Sequence, residues 1–241
     1  MRFLILFFIT TTLVYSNNQN SENLSSMINK IIKHKKVKYI KNNTSTSLSN
    51  HKKINLIKTR IKSSLPSLIL SNISIKNFPS LPLLKKLEII ETKNNNLREL
   101  FYIQYFKSLK YLDMSKNYIE NIFYLQYLKE LKYLDLSKNI ISNIHNLQYL
   151  KKLKYLDLSK NKITNINALQ YLKDLRYLDL SNNKISNINS LQYLKNLKVL
   201  NLSNNKIKNF SFLQNMKNLK VVIIKNNPIK INTDHSFIII R

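Results

Sequence analysis

From Leu65 onward, apolar residues return on a period of 22. Units begin at Leu65, Leu87, Leu109, Leu131, Leu153, Leu175, Leu197 and Leu219. Counting each of these as position 1, apolar side chains recur at positions 1, 4, 6, 11, 14, 17 and 20. In the third unit these are Leu109, Leu112, Met114, Ile119, Ile122, Leu125 and Leu128; in the fifth they are Leu153, Leu156, Leu158, Ile163, Ile166, Leu169 and Leu172. Positions 3, 5 and 7 carry Tyr, Asp and Ser between the inward residues at 4 and 6. That alternation predicts a short strand with one face buried. At positions 14, 17 and 20 the spacing lengthens to three, which suits a 3-10 return segment. Each unit thus reads as strand, turn and return.

Seven apolar side chains cannot offset the conformational entropy of ordering a whole unit, so a single copy does not stand alone. Stacked copies share faces and pair their strands, and only the array is stable. The predicted fold class is therefore α/β in the form of a solenoid, with parallel strands lining one side and short 3-10 or helical segments returning along the other. About eight units fill residues 65–230.

The pattern LxxLxLxxNxI, written LKYLDLSKNIISNI at 131–144 and LRYLDLSNNKISNI at 175–188, resembles the leucine-rich repeat family. The 22-residue period with Ile at positions 11 and 14 is similar to the subclass that includes the leucine-rich regulatory subunit of protein phosphatase 1 and the bacterial internalins. The resemblance implies a curved horseshoe with strands on the concave face. It also implies that the position-9 side chains, Asn117, Asn139, Asn161, Asn183, Asn205 and Asn227, hydrogen-bond backbone groups in the turn after each strand. The first units depart from the pattern. Ile73 stands at position 9, Asn72 comes one place early, Pro66, Pro79 and Pro82 interrupt the unit, and Thr92 occupies an inward position. Degenerate edges of this kind are usual in repeat arrays.

Strands about 4.8 Å apart turn every outward position into a row of like side chains. Position 3 contributes Tyr111, Tyr133, Tyr155 and Tyr177, and position 5 contributes Asp113, Asp135, Asp157 and Asp179. Lys110, Lys132 and Lys154 at position 2, and Lys116, Lys138 and Lys160 at position 8, border them. Rigid tyrosines beside carboxylates form a surface suited to a protein partner, so these eight Tyr and Asp residues are the candidate partner-binding site. The competing reading is solvated surface, because Asp at 5 and Ser at 7 are common in the family. A second row, Gln104 and Tyr105 through Gln192 and Tyr193, runs along the return side and reads chiefly as packing.

Composition then narrows the chemistry. The 241 residues carry a net charge of +28 yet no Gly, Cys or Trp, and a single alanine, Ala168. Abundant Lys, Asn, Ile, Tyr and Phe point to A/T-biased codons, which enrich lysine without any functional demand. Arginine, the better phosphate ligand, is scarce, so nucleic acid is an unlikely partner. Without cysteine there is no thiol nucleophile or thiolate metal site. Without glycine there is no phosphate-cradling or dinucleotide loop. His34, His51, His145 and His235 are scattered and none repeats beside a carboxylate at ligand or general-base spacing. The expectation is a non-enzymatic protein with no cofactor, metal or small-molecule substrate.

Residues 1–16 carry one Arg, an apolar run from Phe3 to Val14 and then Ser16, the pattern of a cleaved secretory signal. Residues 17–50 are a basic, Asn/Ser-rich lead-in, mostly disordered, and 51–64 an N-terminal cap; residues 231–241 form a short C-terminal tail or cap. Met27, Ile28, Ile31 and Ile32 fall near helical spacing among lysines, which makes membrane-surface contact a weak expectation. Six Asn-x-Ser/Thr sequons are no more than this composition yields by chance. The reading is a scaffold in the secretory pathway or outside the cell that binds another protein on its concave face. The alternatives are an intracellular regulatory subunit of a phosphatase or similar enzyme, in cytoplasm or nucleus, and a binder of anionic surfaces through lysine.

Overall fold

In the computed structural model the described residues are 67–72, 74–78, 86–228 and 238–240. The expected signal segment, lead-in and cap lie outside them. The described residues form one parallel sheet of nine strands in strict sequence order. The strands are β1 (Ser67–Ile69), β2 (Ile89–Glu91), β3 (Tyr111–Asp113), β4 (Tyr133–Asp135), β5 (Tyr155–Asp157), β6 (Tyr177–Asp179), β7 (Val199–Asn201), β8 (Val221–Ile223) and β9 (Ile238–Ile240). Six 3-10 segments alternate with β2 to β8, from Phe101–Tyr105 to Ser211–Asn215. This is the solenoid of strand, turn and return that the periodicity predicts.

Register follows the repeat. Tyr111 pairs with Tyr133, Leu112 with Leu134 and Asp113 with Asp135, and the same holds rung by rung to β6. A slip of one residue would turn the leucines outward, so the pattern itself locks the stack. The inward residues join into one core running from Leu68 to Ile224, with every apolar position of the unit at Leu131 at most 1% exposed. Ile238 pairs with Val221 at an offset of seventeen rather than twenty-two, and β9 nonetheless adds in parallel as the last strand of the row.

The turn after each strand places its position-8 residue in the left-handed region. Asn94, Lys116, Lys138, Lys160, Asn182, Asn204 and Asn226 have φ between 55° and 57°. Glycine would sit there without cost, but the chain contains none. Asn, whose short side chain tolerates this conformation, holds four of these seven places and Lys the other three. In the degenerate first rungs, Ser67 Oγ and Thr92 Oγ1 are buried without a hydrogen-bond partner.

Candidate functional site

The structure brings together all eight Tyr and Asp residues of the expected site on one face of the sheet. Their rows run across β3 to β6, because each strand presents Tyr and Asp on the side opposite its buried leucine. The tyrosine rings stack nearly parallel. Tyr111 to Tyr133 measures 4.1 Å between centroids at 10°, Tyr133 to Tyr155 4.2 Å at 9°, and Tyr155 to Tyr177 4.4 Å at 3°. Isolated aromatic pairs prefer offset or edge-on packing; here the strand spacing imposes the stack. Burial, followed by the charges alongside, pushes the phenols of Tyr111, Tyr133, Tyr155 and Tyr177 well above their ordinary values. They stay neutral donors and the ring faces are used up within the stack.

Each carboxylate caps the turn that follows it. The Ser115 amide donates to Asp113 Oδ1 at 3.0 Å and its hydroxyl does so at 2.7 Å. The amides of Ser137, Ser159 and Ser181 reach Asp135, Asp157 and Asp179 at 2.8 Å. At β7 the position becomes Asn201, whose Oδ1 accepts from Ser203 while its Nδ2 donates to Asp179 Oδ2 at 2.9 Å. Burial, then the charges of Asp113 and Asp157, raise the Asp135 carboxyl well above the usual range. Burial and Asp179 bring Asp157 up to about 7. Asp113 and Asp179 are raised as well, burial again leading, with their serine hydrogen bonds opposing the shift.

Among the described residues, cations relieve this row at one end only. Lys93 lies 2.8 Å from Glu91 and 4.0 Å from Asp113. Among the described residues no ammonium comes within 4.0 Å of Asp135, Asp157 or Asp179. Lys116, Lys138 and Lys160, expected to border the face, stand exposed in the left-handed turns. Burial and then Lys116 and Lys160 hold the Lys138 ammonium below its ordinary value. Position 2 forms the firmer border. There, Arg176, Lys198 and Lys220 extend the row of Lys110, Lys132 and Lys154. Sequence reading stopped at the third of these, although the same repeat column carries all six.

Beneath the face lies the asparagine ladder. Asn117 Nδ2 donates to the carbonyls of Thr92 and Met114, both at 3.0 Å, and its Oδ1 accepts from the Leu97 amide at 3.0 Å. Asn139 repeats the arrangement with Met114, Leu136 and Ile119, and Asn161 with Leu136, Leu158 and Ile141. Asn183 joins Leu158, Leu180 and Ile163, while Asn205 joins Leu180, Leu202 and Ile185. Asn227 holds Leu202, Ile224 and Ile207. Asn95, at the same position one unit earlier, bonds the carbonyls of Leu70 and Thr92. Each asparagine therefore staples its own turn to the rung before it.

The return side is different in kind. Tyr105, Tyr127, Tyr149, Tyr171 and Tyr193 are all exposed there. Lys129 sits 4.4 Å over the Tyr149 ring and Lys173 4.7 Å over that of Tyr193. The His145 ring meets the Gln148 amide nitrogen at 2.8 Å and its backbone amide donates to Asn143 Oδ1 at 2.9 Å, beside a depression lined by Asn143 and Asn165. Among the described residues no group of three metal-ligating side chains converges.

Comparison with known proteins matches these features. The family model described as leucine rich repeat covers residues 130–185, and that described as leucine-rich repeats in two copies covers 195–235. The chain is a leucine-rich repeat protein. Its repeats are of the internalin type: the crystal structure of internalin C2 from Listeria monocytogenes is 27% identical with a TM-score of 0.72, covering 78% of this chain and 91% of that one. Internalin InlF of the same organism shares the fold at 22% identity and a TM-score of 0.60, covering 74% of this chain and 62% of that one. A leucine-rich repeat protein of Leptospira interrogans is 28% identical with a TM-score of 0.64, over 70% of this chain and 50% of that one. Comparison with curated proteins finds no match. Leucine-rich repeat proteins generally bind other proteins and are typically non-enzymatic scaffolds, and this one has the same architecture.

Proposed function

We propose that this leucine-rich repeat protein is an exported scaffold that holds a partner protein on the sheet face formed by Tyr111, Tyr133, Tyr155 and Tyr177 with Asp113, Asp135, Asp157 and Asp179. The observation that carries this reading is the carboxylate row of β4 to β6, partly desolvated beside a stack of tyrosines and without a cation within 4.0 Å among the described residues. Like charges in register on neighbouring strands destabilise the free protein. A partner that covers and neutralises them recovers that energy, and the immobile rings offer it contact area at little entropic cost. Export rests on the N-terminal pattern of residues 1–16.

The test uses the mature chain as bait against extracellular fractions, with captured proteins identified by mass spectrometry. Exchanging Asp135 and Asp157 for Asn keeps the turn caps, as Asn201 shows at the equivalent place, while removing the charge. Loss of a captured protein supports the face; unchanged capture refutes it. Sequencing the secreted product tests export, with Asn17 expected as its first residue.

A further inference from the structure

Two rows of opposite charge lie side by side on this face. The cation row, Lys110, Lys132, Lys154, Arg176, Lys198 and Lys220, is drawn into line by backbone pairing. The Lys132 amide donates to the Lys110 carbonyl at 2.9 Å, and the same bond repeats to Lys220 on Lys198 at 2.8 Å. Lys110 has an ion pair, with Glu88 at 3.2 Å; the other five have none at 4.0 Å among the described residues. Three residues further along each strand comes the carboxylate row, about 10 Å away at roughly 3.3 Å per residue. The tyrosine stack fills the strip between them.

We propose that the partner presents an α-helix laid along the tyrosine stack, with acidic side chains on the flank over the cation row and basic side chains on the flank over the carboxylate row. This rests on the reading of the sheet face as the protein-binding surface. Charge complementarity requires both signs, because a uniformly basic ligand meets the lysines and a uniformly acidic one meets the aspartates. Dimensions select the helix. Its diameter of about 10–12 Å matches the separation of the rows, and its pitch of about 5.4 Å nearly matches the rung spacing of about 4.8 Å. Over three rungs the mismatch accumulates to about 2 Å, which Lys, Arg and Glu side chains absorb. An extended strand places same-side residues about 6.6 Å apart, out of step with the rungs. Nucleic acid is disfavoured because its bases need free aromatic faces, which the stack of 4.1–4.4 Å consumes.

The probes are alanine-based helical peptides of about five turns, labelled for fluorescence anisotropy against the full chain. One carries Glu along one flank and Lys along the next; a second has the same composition with the two residue types mixed on both flanks; a third and fourth are all Lys and all Glu. The two-flank peptide is expected to bind at least ten-fold more tightly than each of the others. Changing Lys132 and Lys154 to Glu is expected to weaken it by a further ten-fold or more, with the variant's thermal transition recorded as a folding control. If that variant does not fold, the peptide series on the unmodified protein decides alone. Equal binding of the mixed peptide, tightest binding of the all-Lys or all-Glu peptide, or no binding by any of them overturns the two-row assignment. The face itself is judged separately, by whether the Asp135→Asn and Asp157→Asn protein still captures its partner.

Discussion

Replacing Asp157 by Asn should stabilise the protein at neutral pH, contrary to the usual effect of removing a hydrogen-bonded aspartate. The Asp157 carboxyl sits near 7 in the folded protein because burial and the charge of Asp179 disfavour its ionised form, whereas in the unfolded chain it ionises near 3.9. Between those values the folded state keeps a proton that the unfolded state has released. Stability from this group is therefore greatest below about pH 4 and falls as pH rises towards 7. Three pH units correspond to a ceiling of about 4 kcal/mol. Because the side chain is only half-buried and partly hydrated, the expected gain is nearer 1–2 kcal/mol. Asn201 shows how the replacement fits: its Oδ1 takes the serine amide at 3.1 Å and its Nδ2 bridges to the aspartate of the preceding strand at 2.9 Å. In Asp157→Asn the same bridge would form to Asp135. Thermal unfolding followed by circular dichroism at pH 3.5, 5.5 and 7.5 provides the assay. For a chain of this size the gain corresponds to a rise of about 2–8 °C at pH 7.5, shrinking to nothing at pH 3.5. Comparing variant with parent at each pH cancels the effect of the general positive charge. A variant no more stable at pH 7.5, or a difference that does not change with pH, refutes the account.

Asn139→Ala removes the bonds donated to the Met114, Leu136 and Ser137 carbonyls and leaves the Ile119 amide without its acceptor, so chemical denaturation should show a loss of about 2–4 kcal/mol. Lys138→Asn, at φ 57°, should gain about 0.5–1 kcal/mol by relieving left-handed strain; Lys132→Asn, just before a strand, should not. Thr92→Val deletes a fully buried, unpartnered hydroxyl, and a gain of about 1 kcal/mol in the same denaturation assay is expected.

Periodicity alone specifies the rung. A period of 22 with leucine at fixed places decides which face of each strand is inward, and hence the register and the alignment of Tyr with Tyr and Asp with Asp. The asparagine at position 9 was legible as a recurrence for the same reason, while its bonding to the turn was what the family resemblance implied. The electrostatics of the face emerge from the stacking of the rungs. Lys138 and Asp135 are three residues apart, and sequence reading placed the position-8 lysines as a border to the aspartate row. The left-handed turn instead carries the lysine into solvent, and Lys93 from the neighbouring rung is the cation that approaches the row. Ring stacking and raised carboxyls likewise arise from neighbours 22 residues away on either side. The last strand escaped the pattern altogether, because Ile238 follows Val221 after seventeen residues and joins the sheet through the open edge of β8 rather than through the repeat. Periodicity records which side a residue takes; how far it is stripped of water depends on everything stacked beside it.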